Sequence, residues 1–162
     1  MNRSTKFLTQ AGLIAAIYIV LTLAFRPISF GEVQIRIAEA LTILPFFTPA
    51  AIPGLFVGCL LGNFLGGAII YDIIFGSLAS LLSSVLVYML RRYKYLVPIP
   101  PIVINGIVVG SILKYAYALP LPLISLMIFV AIGQTIACYG LGLPLLLFLQ
   151  KNNLFNNHNR IV

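Results

Sequence analysis

Acidic residues are nearly absent from this chain. Only Glu32, Glu39 and Asp72 occur among 162 residues, and charged residues of both signs make up 8%. A soluble domain normally carries about 25% charge, so a soluble globular fold is excluded. No glycine-rich loop ending in Gly-Lys-Ser/Thr occurs, which excludes ATP hydrolysis at a P-loop. The sole histidine, His158, lies in a polar tail, so an intramembrane serine protease would have no base. No metal-ligand spacing is found. Cys59 and Cys138 each lie inside an apolar run and read as small buried hydrophobes. Neither a cofactor nor an enzymatic activity is expected.

What remains is apolar: 61% of the residues are hydrophobic and the mean hydropathy is +1.10. At roughly 20 residues per span, the chain is an all-α integral membrane protein. The segments predict a six-helix transmembrane bundle over about 8–25, 35–47, 50–65, 68–90, 102–118 and 122–149. Residues 1–150 form a single membrane domain and 151–162 a polar tail. Arg26-Pro27 stops the first segment, which has no small-residue cleavage pattern and is expected to be retained. The second is short for a span, and Pro45 and Pro49 bend or end it. Pro53 opens the third near its first turn, and Gly66-Gly67 closes it. Arg91-Arg92-Tyr93-Lys94 ends the fourth, followed by a stiff linker containing Pro98, Pro100 and Pro101. Gly140, Gly142 and Pro144 predict a kink in the sixth.

The net charge of +7 is distributed as topology signals are, in small groups flanking apolar runs, and not as a nucleic-acid surface. With the N-terminus in the cytoplasm, that side holds Arg3, Lys6, Arg91, Arg92, Lys94, Lys151 and Arg160. The outer side holds Arg26, Arg36 and Lys114 together with all three acids. Both termini are therefore expected in the cytoplasm.

Ionisable groups inside apolar spans are costly, roughly 2.5–3.5 kcal/mol each at a helix centre, and mark function by default. Arg36 and Glu39 are three residues apart, on one face of the second helix. Asn63, Tyr71, Asp72 and Lys114 lie near the outer helix ends, and Gln134 lies about 18 Å into the last helix at 1.5 Å per residue. Together they are candidates for one outward-opening pocket. Carboxylates, an amide and aromatic rings suit a small, flat, nitrogen-rich ligand. The competing structural reading pairs Arg36 with Glu39 or Glu32, and Lys114 with Asp72, as ion pairs near the interface. Ala11-x-x-x-Ala15 and Gly12-x-x-x-Ala16 are small-x-x-x-small patterns that admit close helix approach, by a helix of this chain or of a partner. Packing or interhelical hydrogen bonds account for Ser83, Ser84 and Asn105.

Three stretches carry a family resemblance: Gln34-Ile-Arg-Ile-Ala-Glu-Ala-Leu-Thr-Ile-Leu-Pro45, Ala51-Ile-Pro-Gly-Leu-Phe-Val-Gly-Cys-Leu-Leu-Gly-Asn63, and Tyr71-Asp72-Ile-Ile-Phe-Gly-Ser-Leu-Ala-Ser80. They resemble the QueT family, small membrane proteins similar to substrate-binding S components of energy-coupling factor (ECF) transporters. The resemblance covers nearly the whole chain. It implies a bacterial plasma-membrane protein that captures a queuosine precursor, a 7-deazaguanine such as the aminomethyl base, or queuine. It also implies partners: a transmembrane T component and two cytoplasmic ATPase subunits. Ala11, Gly12, Ala15 and Ala16 would then pack on the T component, and the loop Pro27–Gln34 would act as a lid. Glu39 and Asp72 would divide the ring edge and the aminomethyl group between them, in an order left open. Two alternatives remain at this point: an S component for another small vitamin or nucleobase, and a structural or assembly membrane protein whose charges pair internally.

Overall fold

The computed structural model describes residues 2–29 and 35–152, and it is all-helical, with no strand among them. Glu32, His158, Arg160 and most of the expected lid and tail lie outside the described residues. The α-helices are α1 (Arg3–Ala24), α2 (Ala51–Gly66), α3 (Asp72–Met89), α4 (Ile99–Tyr115) and α5 (Leu123–Lys151). A single turn, Arg26–Ser29, follows α1, and a 3-10 helix, Ile37–Phe46, precedes α2.

Helices α1, α3 and α5 are long and apolar enough to cross a membrane, and three shorter apolar helices accompany them. The outer surface is itself apolar. Leu8, Val20, Phe64, Ile70, Met89 and Ile124 are all exposed, while Arg36, Glu39, Asn63, Asp72, Asn105 and Gln134 are buried. Polar inside and apolar outside is the distribution expected where lipid is the solvent. The chain is a multi-pass membrane protein.

The second apolar segment departs most from an ordinary span. It is a 3-10 helix of 10 residues with Pro45 inside it, and Ala38 to Pro45 are all buried. Such runs seldom exceed three or four residues. At about 2.0 Å per residue it reaches ~20 Å, where an α-helix of the same length would reach ~15 Å. The extra length helps a short segment traverse the bundle. It packs against α1, α2, α3 and α5, so no side of it faces lipid along most of its length.

Close backbone approach holds α1 on α2. The buried face of α1 is Ala11, Ile14, Ala15, Tyr18 and Thr22, a helical stripe. Opposite it, Gly54, Gly58 and Gly62 recur every fourth residue. A Cβ at Gly54 would lie 2.7 Å from the Ala11 carbonyl oxygen, and one at Gly58 2.9 Å from Tyr18 Cβ. Ala11 and Ala15 are thus used within the chain, where the glycine stripe lets the two backbones approach closely. Gly12 and Ala16 face outward, with nothing within 4 Å of a Cβ built at Gly12. Gly110 lets α4 approach α5 in the same way, a Cβ there lying 2.8 Å from Met127 Cα.

At one end of the bundle Arg26 reaches Gly67, whose φ of +77° closes α2, and the Ile69 amide donates to the Tyr117 hydroxyl at 3.4 Å. At the other end Phe46, the α3–α4 connection and Gln150 come together. Substituting Gly58→Leu is expected to lower stability by about 1–3 kcal/mol through overpacking. Gly12→Leu should leave it unchanged. Thermal unfolding in detergent checks both.

Candidate functional site

The polar residues of the 3-10 helix fall in one row. At three residues per turn, side chains at i and i+3 eclipse. Glu39 and Thr42 therefore share a face, and Arg36 enters one step earlier. The rows Ile37-Ala40-Ile43-Phe46 and Ala38-Leu41-Leu44 are wholly apolar.

Each polar side chain of that row meets a different helix. Glu39 accepts from the Tyr18 hydroxyl of α1 at 2.5 Å through Oε1, and from Asn105 Nδ2 of α4 at 3.3 Å through Oε2. Arg36 Nη2 donates to Asp72 Oδ2 at the start of α3 at 3.1 Å, with the two side chains 4% and 1% exposed. Arg36 Nε also donates to the Ser29 carbonyl at 3.4 Å. Thr42 donates to the Glu39 carbonyl at 2.6 Å, and Cys138 Sγ of α5 lies 3.7 Å from Thr42 Oγ1, the Glu39 carbonyl oxygen and Gln134 Oε1. Asn63 Nδ2 of α2 donates to the Asp72 carbonyl at 3.2 Å.

Two irregular turns shape this cluster. Residues Asp72–Gly76 at the head of α3 and Ile136–Gly142 within α5 are π-helical. Single π turns inside α-helices are frequent at functional sites. A Cβ at Gly76 would lie 2.9 Å from Asp72 Oδ1 and 3.3 Å from Asn63 Nδ2, so glycine leaves room for the carboxylate and the amide to sit against the α3 backbone. Gly142 admits the 3-10 backbone, its Cβ position lying 3.2 Å from the Ala40 carbonyl oxygen. This π turn contains Gly140 and Gly142 and ends two residues before Pro144.

The structure brings together five of the residues singled out from the sequence: Arg36, Glu39, Asn63, Asp72 and Gln134. It leaves two apart. Tyr71 is 55% exposed and lines a cavity of about 620 Å³ between α3 and α4, with Phe75, Ile107, Ser111 and Tyr115. Lys114 bonds the Leu119 carbonyl at 3.5 Å and does not pair with Asp72, whose partner is Arg36. Sequence reasoning passes over Tyr18 and Thr42, reads Cys138 as a small buried hydrophobe, and gives Asn105 packing or an interhelical hydrogen bond, the latter being what it makes with Glu39. The signal for Tyr18 is its place on the stripe begun by Ala11 and Ala15.

Satisfaction of the two carboxylates is unequal. Both Glu39 oxygens are bonded. Among the described residues, Asp72 Oδ1 and Asn63 Oδ1 are buried with no hydrogen-bond partner, as are the Ser80 and Ser83 hydroxyls farther along α3. Buried polar atoms are rarely left so, and Asp72 Oδ1 lies beside Gly76, next to the Asn63 side chain. The cluster can therefore accept hydrogen bonds from a donor-rich ligand.

The model of the QueT transporter family matches residues 8–151. The chain is 34% identical over 98 residues to the queuosine precursor transporter QueT of Lactococcus lactis subsp. cremoris (strain MG1363). That match spans 58% of this chain and 57% of the relative's length. No solved structure matches.

Removing the buried cation should be costly. Arg36→Met leaves Asp72 uncompensated and is expected to destabilise by about 3–5 kcal/mol, whereas Arg36→Met with Asp72→Leu should lose much less. Unfolding of both variants in the same detergent measures the difference.

Proposed function

We propose, on the premise that the chain belongs to the QueT transporter family, that it is the substrate-binding subunit of an ECF-type importer. Its cargo is a queuosine precursor of the 7-deazaguanine class. The observation that carries this reading is the pair of buried, unpartnered acceptors, Asp72 Oδ1 and Asn63 Oδ1. A 7-deazaguanine presents ring N–H and exocyclic amino donors, and the aminomethyl base adds an ammonium group. Asp72, with Arg36 on its other oxygen, takes a donor of the ligand, and the Gln134 amide supplies one to the ligand carbonyl. Glu39, already bonded by Tyr18 and Asn105, holds the wall of the site in place.

The competing structural reading draws on the Arg36–Asp72 pair and on Glu39 bonded at both oxygens. It leaves the two open oxygens without a role.

In the proposed cycle the chain binds and releases its cargo unchanged. The plasma membrane holds it with both termini cytoplasmic and the site opening outward. Supporting this, the basic ends of α3 and α5 meet at one end of the bundle, and Arg26 and Arg36 lie toward the other. A T component would pack on the outward face of α1 at Gly12 and Ala16, and two ATPase subunits would supply the energy that this chain has no motif to extract.

Calorimetric titration of the purified protein with 7-aminomethyl-7-deazaguanine, queuine and guanine tests the reading. Saturable binding of a deazaguanine, with guanine much weaker, is expected. Asp72→Asn should weaken it by about 2–5 kcal/mol if the ligand donor is buried against the charge. Failure of all three to bind folded protein would remove the queuosine assignment. Unchanged binding in both Asp72→Asn and Glu39→Gln would remove the site. Gly12→Leu with Ala16→Leu is expected to abolish uptake by cells while leaving the titration intact.

A further inference from the structure

The end of the bundle away from the polar cluster holds a second cavity, of about 550 Å³, lined by Phe46, Arg92, Tyr93, Lys94, Tyr95, Leu96 and Gln150. Its charge is of one sign. No aspartate or glutamate follows Asp72 in the sequence, while Arg91, Arg92, Lys94 and Lys151 all cluster at these helix ends. The chain's two described carboxylates are taken up elsewhere, Asp72 by Arg36 and Glu39 by Tyr18 and Asn105. Among the described residues, the cations here have no acidic side chain to meet.

Aromatic rings hold two of these cations. The Arg91 guanidinium lies 4.4 Å from the Tyr88 ring centroid, and Lys94 Nζ lies 5.1 Å from that of Tyr95. Cation–π contact restrains a side chain without neutralising its charge. The Tyr139 hydroxyl donates to the Tyr95 carbonyl at 2.9 Å, fastening the loop to α5. The surroundings are those of a membrane interface. Tyr93 and Tyr95 are exposed, and so are the apolar Met89, Leu96 and Ile99 beside them. Tyrosine is enriched at the headgroup level of a bilayer, and basic pockets between transmembrane helices bind anionic headgroups.

We propose that this cavity is a binding site for the headgroup of an anionic phospholipid, with Arg92 and Lys94 on the phosphate and Phe46 and Leu96 against the glycerol and upper acyl chain. A lipid is favoured over an acidic protein segment because the cavity couples its cations to apolar and aromatic walls at the ends of lipid-exposed helices. Phe46 also makes the site continuous with the 3-10 helix whose other end bears Arg36, so an occupied headgroup site braces that helix at its far end.

The test reconstitutes the full chain in nanodiscs of phosphatidylcholine with and without phosphatidylglycerol, then reads retained lipid by native mass spectrometry and thermal stability in parallel. Selective retention of phosphatidylglycerol with a raised Tm is expected. Arg92→Gln with Lys94→Gln should cut that retention about thirty-fold, from two lost basic contacts. Lys114→Gln, at the opposite end, should not change it. Precursor binding by the double variant, or its unaltered unfolding profile in phosphatidylcholine alone, shows that it is folded. Equal retention of the two lipids by the wild type, or equal retention by wild type and double variant, overturns the proposal. So does displacement of the lipid by inorganic phosphate alone at matched concentration. Retained lipid selectivity in a double variant that no longer co-purifies with partner subunits would assign the cations to protein docking and overturn it too.

Discussion

A buried 3-10 helix with a polar row is the constraint on which the other helices depend. Carboxyl and guanidinium groups along a segment enclosed by protein cannot turn to water, so neighbouring helices must supply their partners. Tyr18, Asp72, Asn105 and Cys138 do so from α1, α3, α4 and α5. The row thereby fixes the rotation of four helices about one axis. In lipid the hydrophobic effect does not drive one helix onto another, and packing and hydrogen bonds must serve. The glycine stripe of α2 against α1 supplies the packing, and the Arg36–Glu39–Thr42 row supplies the hydrogen bonds.

The two π turns follow from the same constraint. An ordinary α-helix beginning at Asp72 would set its carboxylate by the pitch of the whole of α3. The π turn over Asp72–Gly76 decouples the first turn from the rest, leaving Asp72 directed at Arg36 while Ser77, Ser80, Ser83 and Ser84 keep their inward face. The turn over Ile136–Gly142 does the same for α5, setting Cys138 against Thr42 and Gly142 against the 3-10 backbone. Three irregular segments, one 3-10 and two π, thus converge on one volume. Irregular hydrogen-bonding concentrates where backbone geometry is spent on placing side chains.

Much of this was legible in the sequence for physical reasons. The apolar runs and the prolines and glycines between them mark the helices, and the scarcity of carboxylates points to Glu39 and Asp72. The i, i+3 spacing of Arg36 and Glu39 survives the change of helix type, because three residues come close to one turn in both. The 3-10 form itself was not legible beyond the shortness of the segment and Pro45, since its two apolar rows and one polar row arise only at a period of three. Tyr18 and Asn105 were hidden differently. Each is a polar group flanked by apolar residues on its helix, and only tertiary packing reveals that both end on the same carboxylate. Lys114 shows the reverse. Its charge and its position near the outer end of α4 suggest Asp72, yet Arg36 reaches that carboxylate and Lys114 settles on a carbonyl five residues along.

The unequal treatment of the two carboxylates bears on how a binding site can also be stable. An interhelical hydrogen bond in a membrane is worth only about 0.6 kcal/mol on average, so the bundle does not rely on any single one. Glu39, bonded at both oxygens, commits each of them to a neighbouring helix. Asp72 commits one oxygen to Arg36 and leaves the other without a hydrogen-bond partner. One guanidinium thus stands among two carboxyl groups, and the site as built has more acceptor than donor. A ligand that brings N–H groups or a positive charge would complete the account at Asp72 without displacing any bond that holds the helices. On the proposed reading, cargo binding adds to the fold and competes with none of it, so the empty site keeps its shape and the filled one gains the contacts that Asp72 and Asn63 leave unmade.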